Sequence, residues 1–156
     1  MESDEGLRDH YRTAERAAAA PYLEYPEDPW WTAPGFGVLG ALFVLGLDLY
    51  GRDDVRDLWG SLAHLLVVAG AVSYIWWQRR RRQTMPSGNA PPEVNRVLVS
   101  FIVGAVIIAV GLFLLGDLAP LWLGLPVAFV VVTAAMYWYG TAYERAAAAA
   151  RERLNG

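Results

Sequence analysis

Four apolar blocks of similar length, separated by polar connectors, constrain this chain more than any other feature. They cover roughly 34–50 (PGFGVLGALFVLGLDLY), 60–77 (GSLAHLLVVAGAVSYIWW), 97–116 (VLVSFIVGAVIIAVGLFLLG) and 120–140 (PLWLGLPVAFVVVTAAMYWYG). A helix rises ~1.5 Å per residue and needs ~20 residues to cross a hydrocarbon core ~30 Å thick. Each block comes near that length. A soluble helix keeps a polar face, whereas these stay apolar on every side. A chain of 156 residues has no interior large enough to hide four such helices from water. The expected fold class is an all-α integral membrane protein with four transmembrane helices in two hairpins over 33–140. An N-terminal helix and strap (1–32) precede them, and a helical tail (141–156) continues the fourth span.

The block edges agree with a bilayer. Trp30, Trp31, Trp76, Trp77, Tyr137, Trp138 and Tyr139 would form an interfacial belt on one face, with Tyr50, Trp59 and Trp122 on the other. All 13 basic residues are arginine. With both termini on one side, that side holds eleven of them: Arg8, Arg12, Arg16, Arg79, Arg80, Arg81, Arg82, Arg96, Arg145, Arg151 and Arg153. Only Arg52 and Arg56 remain opposite, in a short loop rich in aspartate. The positive-inside rule then puts both termini in the cytoplasm, and the arginine- and alanine-rich composition points to a bacterial inner membrane. The first 30 residues carry no early apolar core of the signal-peptide kind.

Residues 3–20 read as a helix capped by Ser3 and stopped at Pro21, with a weak apolar stripe of Leu7, Tyr11, Ala14 and Ala18. It would lie on the membrane surface or dock on the C-terminal tail. Pro21, Pro26 and Pro29 make the next segment an extended strap, with Glu24, Glu27 and Asp28 available to a basic partner. The fourth span is expected to run unbroken into TAYERAAAAARERL, ending at Asn155-Gly156 and reaching ~20 Å beyond the core. Pro126 would kink this helix or sit harmlessly in its first turn. A further reading is a duplicated hairpin, because Gly40–Gly46 resembles Val110–Gly116.

Chemistry is sparse. Gly35-Phe36-Gly37-Val38-Leu39-Gly40 has the spacing of a dinucleotide fingerprint, with Asp53 downstream, but it follows Pro34 and opens an apolar span rather than a βαβ unit. Its glycines instead suit close helix packing, as do Ala105 with Ala109 and Gly124 with Ala128. The ionisable residues inside the spans are Asp48 and His64, near one end of the first hairpin. They form a candidate proton or cation site if they approach across the loop. No cofactor or metal site is expected, no lysine exists for a phosphate-binding loop, and no hydrolase constellation is visible. A net charge of −3 argues against nucleic acid as a partner.

The run WWQRRRRQ is then the foot of the second span: Trp76 and Trp77 at the headgroups, Arg79 to Arg82 anchoring the loop against anionic lipid. The expected function is interaction without catalysis, as an accessory or regulatory subunit of a membrane complex or as a small oligomer. The alternative is a small oligomeric proton or cation transporter or channel with Asp48 and His64 at its outer mouth.

Overall fold

The computed structural model describes residues 4–23, 28–50, 54–81 and 90–155. Ser3, Glu24, Pro26, Glu27, Arg52, Asp53, Arg82 and Gly156 lie outside them, as do the side chains of Leu7, Arg8, Tyr11 and Arg12. The described residues form five helices: α1 (Asp4–Leu23), α2 (Thr32–Leu49), α3 (Asp54–Arg81), α4 (Pro92–Leu118) and α5 (Leu121–Asn155). The last four are long and apolar enough to cross a membrane. This is a small, multi-pass α-helical membrane protein.

Three of the spanning helices outrun their apolar blocks, for local reasons. Helix α3 starts six residues before Gly60, with Asp54 and Asp57 in its first turn, and ends on Arg79, Arg80 and Arg81. Acids at the N-terminus and bases at the C-terminus both complement the helix dipole. Helix α4 begins on Pro92, whose fixed φ suits a first helical position. Helix α5 is 35 residues long and continuous. Pro126 is its sixth residue, not in its first turn, and lacks the N–H that would serve the Trp122 carbonyl.

Helix α2 is the hub. It packs on α3, α4 and α5, while α4 also packs on α5. The intramembrane core centres on Val44, Leu112 and Ala128, with Val44 only 1% exposed and Ala128 fully buried. Glycine brings the helices this close. A Cβ on Gly37 would lie 2.8 Å from the Phe129 carbonyl oxygen, and one on Gly40 would lie 2.7 Å from Val132 Cγ2. Gly124 is buried beside Val44 in the same seam. At the other end of α2, Gly46 and Gly60 let α2 and α3 cross, a Cβ on Gly60 meeting the Gly46 carbonyl oxygen at 2.9 Å. Positions that align between the two hairpins have different surroundings: Gly40 is buried, Val110 exposed.

Helix α1 departs from expectation twice. It runs through Pro21 to Leu23, because proline in a last turn deletes one hydrogen bond and tertiary contacts replace it. Tyr143 donates its hydroxyl to the Tyr22 carbonyl at 2.8 Å, and Arg151 donates to the Leu23 carbonyl. These capture carbonyls that a helix end leaves open. The packed stripe is Ala19 and Leu23 against Ala147 and Ala150 of α5, while Ala14 and Ala18 are exposed. Arg16 completes the dock, its Nε and Nη2 donating to the Leu154 carbonyl at 2.9 and 2.7 Å. So α1 lies on the C-terminal tail.

Candidate functional site

A polar cluster lies where Asp28 meets the far end of α3, on the side of the termini. Tyr74 and Gln78 are one turn apart on α3, so both reach the same point beside it. The Tyr74 hydroxyl donates to the Asp28 carboxylate at 3.1 Å, and Gln78 Nε2 lies 2.5 Å from Asp28 Oδ1 and 2.7 Å from the Tyr74 oxygen. Gln78 is only 5% exposed, and its Oε1 finds no hydrogen-bond partner among the described residues. The Thr32 hydroxyl, 4% exposed at the start of α2, is in the same state.

Aromatic rings border the cluster. Trp31 packs on Trp77 with centroids 5.2 Å apart, and Phe36 meets Tyr74 edge-on at 4.9 Å. The arginine run folds back along its own helix: the Arg80 guanidinium lies 3.5 Å over the Trp76 ring and Arg81 4.6 Å over Trp77. Spacing of four residues makes these pairs neighbours, and the cation–π attraction holds each charge at the ring. Arg79, Arg80 and Arg81 stay exposed, as does Trp76. Arg82 lies outside the described residues.

Two cavities open from this cluster. One, of about 270 Å³, lies between the end of α1, the start of α2 and the α5 stretch Met136–Arg151. Its polar lining includes Asp28, Thr32, Glu144 and Arg151. The other, of about 600 Å³, is an apolar groove between α3 and α4, floored by α2 and α5. It exists because α3 leans on α2 and stands away from α4.

The candidate ion pair sits at the opposite end of the bundle. His64 Nδ1 donates to the Gly60 carbonyl one turn back on its own helix at 2.8 Å, since a carbonyl can only accept. Its ring meets Phe43 and Tyr50 edge-on, at 5.3 and 5.7 Å, and lies against Gly46. Phe43, Gly46 and Tyr50 occupy one face of α2. At 100° per residue, Asp48 lies on the other side of that helix. Of the packing candidates, Gly37, Gly40, Gly124 and Ala128 lie in the α2–α5 seam, whereas Ala105 and Ala109 are exposed and line the groove.

Sequence reasoning missed Tyr74, Gln78 and Thr32. Gln78 carried a usable signal: a neutral amide between two tryptophans and four arginines. Among the described residues, no group of three or more His, Asp or Glu side chains converges as a metal ion would need. No family model, curated protein or solved structure matches this chain.

Proposed function

We propose that this protein acts by interaction, as an accessory or regulatory subunit of a bacterial inner-membrane complex or as a small oligomer, with both termini cytoplasmic and no catalysis of its own. One observation carries the reading. On α4, Gly104 and Gly111 are seven residues apart and so share an edge, and a Cβ on either would meet nothing within 4 Å. Small residues in a lipid-facing position let a second helix approach to backbone distance, the main source of helix association where no hydrophobic force acts. Helix α3, which leans on α2, supports the same reading by leaving most of its circumference uncovered.

A photoreactive residue at Ile107, between the two glycines, tests it in native membranes. The reading expects one discrete protein adduct, lost when Gly104 and Gly111 are both changed to Leu while the protein still folds. Deleting residues 141–156, and with them the shelf that carries α1, should also release a partner held from the cytoplasmic side. Only lipid adducts, together with cation flux in liposomes that Asp48→Asn or His64→Ala abolishes, would replace this reading with the transporter.

A further inference from the structure

The two cavities adjoin. Asp28, Met136 and Tyr139 line both, so the polar chamber near the termini lies directly beside the interfacial end of the apolar groove. Their shapes match the two parts of an amphiphile. Along α4 the groove runs from Phe101 to Leu112, which at ~1.5 Å per residue is ~16 Å. One leaflet of a hydrocarbon core ~30 Å thick is ~15 Å. The groove therefore covers one leaflet, from the interfacial ring of Tyr74, Trp138 and Tyr139 to the level of Phe43 and Val67.

Its lining selects the occupant. The groove, of about 600 Å³, is walled almost wholly by apolar side chains along its ~16 Å and so suits hydrocarbon chains. The chamber above then selects the headgroup. Asp28 and Glu144 supply carboxylates, and Asp28 keeps acceptor sites beyond those used by Tyr74 and Gln78. Arg151 gives one donor to Leu23 and retains others. The Thr32 hydroxyl, 96% buried on the chamber wall, has no partner among the described residues.

The geometry points to a binding site for a single phospholipid with an ammonium-bearing, zwitterionic headgroup. Asp28 and Glu144 face the ammonium, Arg151 and Thr32 the phosphate, and the acyl chains fill the groove between α3 and α4. The site meets the partner edge argued above at Gly104 alone, which lines the groove; Gly111 lies outside it, and Ala105 and Ala109 lie ~130° around α4 from that edge. It is also distinct from the exposed Arg79–Arg81 run, whose charge favours anionic lipid.

Native mass spectrometry on the full chain, released from nanodiscs of equal parts phosphatidylethanolamine and phosphatidylglycerol, tests the site. The expected result is one phosphatidylethanolamine retained per chain, at least 5-fold over phosphatidylglycerol. Ala109→Phe fills the groove from an exposed position and should cut retention of either lipid at least 5-fold, without changing the helical circular dichroism. Glu144→Gln should erase the headgroup preference while leaving total retention within 2-fold. Equal retention of the two lipids by the unaltered protein, or full retention by Ala109→Phe, would overturn the assignment. So would a protein adduct from a photoreactive residue at position 109.

Discussion

Helix α5 makes two seams with two different helices, and they hold by different means. Within the spans it meets α2 through Gly37, Gly40, Gly124 and Ala128, packed with Val44 and Val132. Beyond the spans it meets α1 through Ala19, Leu23, Ala147 and Ala150, ringed by Tyr143, Arg151 and Arg16, each giving hydrogen to a helix-end carbonyl. Both seams use small residues, but the surrounding solvent differs. In lipid, apolar burial gains nothing over contact with acyl chains, so closeness itself must stabilise, through dispersion over backbone surfaces. In water, burying Leu23 contributes ~1.5–3 kcal/mol and the caps rescue carbonyls that helix ends leave open. Such caps would be idle in the bilayer, where the helices run on uninterrupted.

The sharpest way to break this contrast is at Gly37. Gly37→Val drives a side chain into the Phe129 backbone and the Thr133 hydroxyl, neither of which yields cheaply. We expect a loss of ~3 kcal/mol or more, read as a large fall in melting temperature in detergent, while α1 protection is lost only with the whole fold. Gly40→Val meets the side chain of Val132 before any backbone and should cost less, and Gly104→Val, facing open space, should leave stability unchanged. Arg16→Met with Arg151→Met should do the reverse of Gly37→Val. Hydrogen exchange over residues 4–23 should rise sharply while the melting temperature of the spans holds, each charged hydrogen bond being worth ~1.5–3 kcal/mol.

Smaller effects sharpen the outer seam. Tyr143→Phe removes one neutral hydrogen bond and should weaken α1 docking by ~1 kcal/mol on the same exchange readout. Arg153 bridges Glu15 of α1 and Glu93 of α4, at 2.8 and 2.9 Å, from partly exposed positions. Arg153→Gln should raise exchange over residues 4–23 only slightly, an effect that 1 M salt largely reproduces in the unaltered protein. A salt effect on the α2–α5 seam would contradict the comparison.

Much of the inner seam could be read from sequence, and almost none of the outer one. Apolar length is a local property, so the four spans are visible in composition alone. So are the glycines of the first span, since G-x-G-x-x-G in lipid has few uses besides packing. Helix α1 reads differently, because its sequence offers Ala14 and Ala18 as readily as Ala19 and Leu23. The choice belongs to α5, whose Tyr143 and Arg151 sit where carbonyls of a helix continued through Pro21 can reach them. The Asp28–Tyr74–Gln78 cluster depends likewise on Asp28 meeting α3, a relation between residues 46 and 50 positions apart. Helical register by itself puts Asp48 on the side of α2 away from Phe43 and Gly46, on which His64 packs.

Helix α5 has one more consequence, in its length. Its 35 unbroken residues form a rod of ~52 Å, of which the last third stands clear of the bilayer and carries α1. A spanning helix adjusts its tilt to the thickness of the membrane around it. Pivoting at mid-membrane, a change of ~10° sweeps the tip of this rod by ~6 Å. The length of the rod alone would thus carry the tail and its docked helix sideways by more than a helical turn for a tilt of that size.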